Sequence, residues 1–117
     1  MGYVDGFVVP VRKDRWDDYV AMANLGREVW MEHGALSYCE ARADDAPFGE
    51  LTSFPRSVQA TDEEIVVFSY ITYRDRAHRD EVNAKVMADP RMQPDPAGMP
   101  FDGKRMIWGG FETFVQG

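Results

Sequence analysis

From Glu64 to Tyr73 a two-residue alternation carries Ile65, Val67, Ser69 and Ile71 on one side and Val66, Phe68, Tyr70 and Thr72 on the other. β-Branched and aromatic residues dominate this run, and neither Pro nor Gly interrupts it, so it predicts a strand. Both sides are apolar, and a strand of that kind needs two covers. Tyr3–Val11 also alternates, with Val4, Gly6 and Val8 opposite Tyr3, Asp5, Phe7 and Val9. Pro10 cannot donate to a ladder, which places it at the end of this strand or on an edge. Next, Trp16, Tyr19, Val20, Ala23, Arg27 and Trp30 recur at spacings of three and four. That period predicts a helix over Asp14–His33, with Asp14 as N-cap, Asp17 and Asp18 in the first turn, His33 in the last, and Gly34 as the left-handed stop.

Leu36–Ala43 reads as a second strand, with Leu36, Tyr38, Glu40 and Arg42 opposite Cys39 and Ala41. Asp44–Asp62 keeps no period. Connections of that length are often binding loops or lids, and Phe48, Leu51, Phe54 and Val58 suggest that it is pinned down. Asp75 should cap a second helix reaching Ala88, its inward stripe made of His78, Val82 and Val86 with Met87, and Arg79, Asp80, Lys85 and Asp89 solvated. Arg91–Pro100 reads as an extended linker. A last strand should start near Phe101 or Lys104 and run to Val115, Gly109-Gly110 marking a bulge or a close backbone approach. There is no internal repeat and no low-complexity tract.

The order βαββαβ predicts an α+β domain over residues 1–117, ferredoxin-like, with a four-stranded antiparallel sheet and both helices on one face. The other face is then bare. Pairing it with a second copy removes apolar surface at roughly 25 cal/mol per Å², which predicts a homodimer. Charge narrows the partners. Thirteen Lys and Arg against twenty Asp and Glu give a net charge of −7, which disfavours nucleic acid and anionic membranes. The single cysteine, Cys39, excludes an intramolecular disulfide and fits a reducing compartment. No secretory leader or membrane-spanning run is legible, so the expected location is cytoplasmic.

Several blocks carry a family likeness: Tyr3-Val4-Asp5-Gly6-Phe7, Glu32-His33-Gly34-Ala35-Leu36, Gly49-Glu50-Leu51-Thr52-Ser53-Phe54-Pro55-Arg56, the run from Arg76 to Met87, and the run from Met99 to Ile107. Together they resemble the YbaA-like family of small bacterial proteins of unknown function. The resemblance implies membership of the dimeric α/β barrel superfamily, in which two ferredoxin-like subunits press their sheets together and a pocket often lies between sheet and helices. Relatives there include cofactor-independent monooxygenases, haem-degrading enzymes, dechlorinases and ligand binders, so the fold does not choose a reaction.

Candidate chemistry starts from His78, which the helical stripe points toward the sheet. It is the candidate general base, against the plainer reading of a core histidine bonded to a backbone carbonyl or to Tyr70. His33 has helix capping as its competing role. Two histidines and one cysteine on separate elements show no metal-ligand spacing, so no metal is expected. No haem-attachment signature accompanies His78, and no cofactor is expected. Asp5 and Glu112 lie among apolar strand residues. They are either proton-trading groups or halves of salt bridges with Arg42, Arg105 or Lys104. Thr52–Arg56, beside Phe48 and Phe54, suits a small polar or anionic ligand, with structural packing as the rival reading. The expected ligand pocket is lined by Trp30, Arg56, Tyr70 and His78. If catalytic, the protein would carry out a cofactor-independent oxidation or isomerisation. The alternative is a non-enzymatic stress or interaction protein with no open pocket.

Overall fold

The computed structural model describes residues 2–94 and 97–117. The alternating segments Tyr3–Arg12 (β1), Ser37–Arg42 (β2), Glu64–Tyr73 (β3) and Ile107–Glu112 (β4) pair in one antiparallel sheet of order β2-β3-β1-β4. Helix α1 (Trp16–Glu32) joins β1 to β2, a single turn α2 (Phe54–Ser57) lies in the long connection to β3, and α3 (Arg76–Met87) follows β3. Among the described residues no helix is long and apolar enough to cross a membrane. Asp95 and Pro96, in the expected Arg91–Pro100 linker, lie outside the described residues.

β3 pairs with β1 from Tyr3↔Tyr73 to Arg12↔Glu64, and with β2 on its other edge. One sheet face carries Tyr3, Val9, Val11, Val67, Ile71 and Tyr73 against Tyr19 and Val29 of α1 and Val82 and Val86 of α3. Each fully buried aliphatic or aromatic side chain of this kind stabilises the fold by roughly 1.5–3 kcal/mol. Pro10 sits where β1 is locally an edge, since pairing with β4 stops at Val8↔Ile107.

The start of α1 differs from the expected cap. Pairing of β1 continues to Arg12, and the Lys13 N–H still bonds to the Glu63 carbonyl at 2.9 Å, so the helix cannot open until that ladder ends. A 3-10 turn over Lys13–Arg15 intervenes, Asp14 instead takes the Arg12 guanidinium at 2.6 Å, and α1 starts without a side-chain cap. Its C-terminus is as expected: His33 caps it and Gly34 follows at φ +110°. Asp75 caps α3 by accepting from the His78 N–H at 2.7 Å.

β4 is shorter than expected. Phe101 reaches the sheet only through a bridge to Val11, and Asp102 turns the chain by accepting from the Lys104 N–H at 2.9 Å. The ladder through Gly109-Gly110 is unbroken, so there is no bulge. Close approach explains Gly110, where a Cβ would overlap the Tyr3 Oη and the Arg79 Nη2.

The second sheet face is not wholly bare, which corrects the sequence expectation. Ser53 Oγ accepts from the Arg56 N–H at 3.1 Å and starts α2, and the chain after it seats Val58 on Val8 and Val66. Of the four apolar residues expected to pin the loop, Val58 is buried, whereas Phe48, Leu51 and Phe54 are exposed. The rest of this face stays open, with Phe68 44% and Phe111 64% exposed.

Candidate functional site

β2 is an edge strand, and α1 packs against its helix-facing side. Alternation points Tyr38, Glu40 and Arg42 toward the helix, and a cleft of about 330 Å³ opens there, its lining including Trp16, Tyr19, Ala23, Arg27, Glu40 and Arg42. Among the described residues Glu40 is the only carboxylate on that lining. Tyr19 Oη donates to its Oε1, and Tyr38 Oη donates to its Oε2 at 2.6 Å. Burial first, and the Glu40 charge second, push both phenols well above the ordinary tyrosine range, so both are donors near neutrality. The Trp16 ring stacks on Tyr19 at 5.9 Å, and the Arg42 guanidinium lies 5.8 Å from the Trp16 ring centroid. Space for Tyr38 comes from Gly26, a buried mid-helix glycine whose Cβ would stand 2.8 Å from the Tyr38 Oη.

A second polar constellation ties α3 to the sheet. Arg79 Nε lies 3.2 Å from Asp5 Oδ1, and Arg79 Nη2 donates to Tyr3 Oη at 3.0 Å. Beside them Asn83 Oδ1 accepts from Trp30 Nε1 at 3.1 Å and from Tyr73 Oη at 3.3 Å. Burial raises the Asp5 pKa, and the Arg79 charge opposes that rise only in part. The salt-bridge reading of Asp5 therefore holds, with a different partner. Arg79 is not solvated, because Gly110 leaves room for it to fold over the sheet edge. Arg105 goes instead to Glu64 at 2.5 Å and to Asp102 at 2.8 Å, while Arg42 lies over Trp16. Asp89, also expected to be solvated, is buried against Arg91 at 2.7 Å and His33 at 2.9 Å.

The four expected pocket residues do not form one site. His78 is buried at 7% exposure, its Nδ1 accepts the Arg74 backbone N–H at 3.0 Å, and its ring stands edge-on to Tyr73 at 5.8 Å. That arrangement closes the turn between β3 and α3. Trp30 shares Asn83 with Tyr73 on the same side of the sheet. Tyr70 points from the opposite face, where its hydrogen bond with Cys39 raises its pKa. Arg56 lies farther out, donating to the carbonyls of Phe48 at 2.9 Å and Gly49 at 3.1 Å, with its guanidinium 3.7 Å from the Phe48 ring centroid. It braces its own loop. Among the described residues no group of three or more His, Cys, Asp or Glu is placed to hold a metal ion. Sequence reasoning missed Tyr19, Tyr38 and Glu40 as a unit. Two signals mark it: a glycine inside a helical stripe, and a glutamate between tyrosine and arginine on one side of a strand.

The chain matches the family described as "Protein of unknown function (DUF1428)" over residues 2–103. It is 49% identical over 115 residues to "Uncharacterized protein YbaA" of Escherichia coli (strain K12), an alignment covering 98% of both chains. The same figures hold for the proteins of that description in Escherichia coli O157:H7 and Shigella flexneri. With a family match that spans most of its length and relatives alike from end to end, this chain belongs to the DUF1428 family.

Proposed function

We propose that the protein is a cytoplasmic homodimer of single-domain, ferredoxin-like subunits, of the dimeric α/β barrel kind, that binds a small molecule between α1 and β2. The strand order supports the subunit class: β3 lies between β1 and β2, and β1 between β3 and β4, so each βαβ unit is split by a strand of the other. Exposed Phe68 and Phe111 on the open face support the dimer, and a free Cys39 fits a reducing compartment.

The binding reading rests on Glu40. Holding a carboxylate with two phenols on the wall of an open cleft leaves further acceptor positions on both oxygens for something else. A volume of about 330 Å³ falls at the small end of ligand pockets. Proton transfer to or from a bound molecule would fall to Glu40, and the enzymatic form of the proposal is a cofactor-independent isomerisation or oxidation. Thermal-shift screening of small polar and aromatic compounds against the wild type and Ala23→Trp, which fills the cleft, tests the reading. Compounds that raise the wild-type Tm by several degrees should leave the variant unmoved. Equal responses would place binding elsewhere.

A second reading, an interaction protein without a ligand, draws on the packing round His78. The imidazole is 7% exposed and its Nδ1 is occupied by the Arg74 backbone N–H, which favours a packed seam there. On this reading no compound class distinguishes wild type from Ala23→Trp.

A further inference from the structure

In an acidic chain a guanidinium is easily matched, and most here are: Arg12, Arg15, Arg76, Arg79, Arg91 and Arg105 each pair with a carboxylate. Arg27 and Arg42 are exceptions. Neither makes a salt bridge or a side-chain hydrogen bond with any described residue, and both line the cleft that holds Glu40. Two unmatched positive groups therefore face one opening whose wall carries one well-held carboxylate. Trp16, Val20, Ala23 and Val67 supply the apolar surface between them.

From this juxtaposition we infer that the cleft takes a small aromatic hydroxy acid, its carboxylate toward one of the two guanidiniums, Arg27 or Arg42, and its hydroxyl donating to Glu40. The inference rests on the cleft being a binding site. Electrostatics decides among ligand classes. A guanidinium binds a carboxylate through charge-assisted, often bidentate hydrogen bonds. A simple inorganic anion would gain those bonds but would also face the Glu40 charge. An organic cation would find Glu40 already accepting two hydroxyls and would meet two guanidiniums. A molecule that is anionic at one end and a neutral donor at the other satisfies both ends, and a flat body between them lies along the apolar wall.

The test uses three probes of one shape: 4-hydroxybenzoate, its neutral analogue 4-hydroxybenzyl alcohol, and benzoate, which lacks the donor. Dissociation constants come from titrating the ¹⁵N-labelled full-length protein and following the indole N–H of Trp16. 4-Hydroxybenzoate should bind at least tenfold more tightly than either analogue. The doubly substituted Arg27→Met, Arg42→Met protein should lose the advantage over the alcohol, and Glu40→Gln the advantage over benzoate. Both arginines are exposed, so their replacement leaves the core intact. Equal affinity for the acid and the alcohol overturns the ligand class while leaving the cleft as a site. If none of the three shifts the cleft resonances, the class assignment also fails, and the Ala23→Trp comparison then shows whether the cleft reading fails with it.

Discussion

Glycine inside a helix costs about 1 kcal/mol relative to alanine. Gly26 nevertheless sits in mid-α1, where no turn or positive φ requires it. Its reason lies across the cleft, in the Tyr38 hydroxyl that a Cβ would crowd at 2.8 Å. Gly26→Ala should therefore fail to stabilise the wild type, because the gain in helix propensity is spent on displacing Tyr38 from Glu40. In a Tyr38→Phe background the next nearest atom, Cζ, is 3.5 Å away, an ordinary contact, and the same change should stabilise by about 1 kcal/mol. Urea unfolding of the four proteins gives the coupling, and additive effects would show that Gly26 has no part in seating Tyr38. Asp89 makes a separate statement about pH. The Arg91 hydrogen bond, followed by that from His33, holds its carboxyl well below the ordinary range. A lowered folded pKa means that the stabilisation is present above the unfolded value of about 3.9 and is lost as pH falls below it. The difference between wild type and Asp89→Asn in urea midpoint should accordingly hold from about pH 6 to 5 and shrink as pH is taken below about 4.

At the level of elements, the Asp5–Arg79 ion pair fastens α3 to β1. Asp5 is 2% exposed and its pKa is raised, so its ionised form is the one the fold disfavours. For a carboxyl with a raised folded pKa, the favourable contribution is present at low pH and is lost as pH rises through the folded value. Arg79 limits that loss. Arg79→Met should cost about 3–5 kcal/mol near neutrality, where it strands a buried charge, and less at a lower pH, because the raised Asp5 pKa eases its protonation. An equal loss at both pH values would separate the Asp5 charge from the effect. How far elements could be read from sequence follows the same physics. β3 was legible to the residue because both its faces are apolar and its ends are polar or turn-forming. The α1 start was not, since Asp14 is a good local cap overruled by a ladder to residues about fifty positions away. Of the site, the alternation that puts Tyr38, Glu40 and Arg42 together was visible. Their meeting with Tyr19 was not, because it depends on how α1 packs over the edge strand. Alternation puts Tyr70 on one side of β3, and the helical stripe turns His78 toward the sheet. Neither period says which sheet face the helices cover, so Tyr70 and Trp30 are grouped although they lie on opposite faces.

For the whole molecule the open question is what meets the uncovered part of the sheet. Val4, Phe68, Tyr70, Ile107 and Phe111 share that face, with Phe111 lying over Gly6 and Gly109, so the surface is broad and apolar. α2 and Val58 shelter only the end near Val8 and Val66. A stable association needs about 800 Å² from each partner, and a four-stranded sheet presents a face of that order. Two faces of this kind pack about 10 Å apart, side chain into side chain. The wild type should therefore sediment at twice its 13.3 kDa at micromolar concentration. Phe68→Glu combined with Phe111→Glu should give a folded monomer, because each charge would have to be desolvated without a partner. Salt should tighten the wild-type dimer, since each subunit carries a net charge of −7 and screening weakens their repulsion. A wild type that sediments as a monomer with native circular dichroism would remove the dimer from the proposal. It would leave the α1–β2 cleft untouched, because that cleft lies on the helix side of the sheet and is built from one subunit alone.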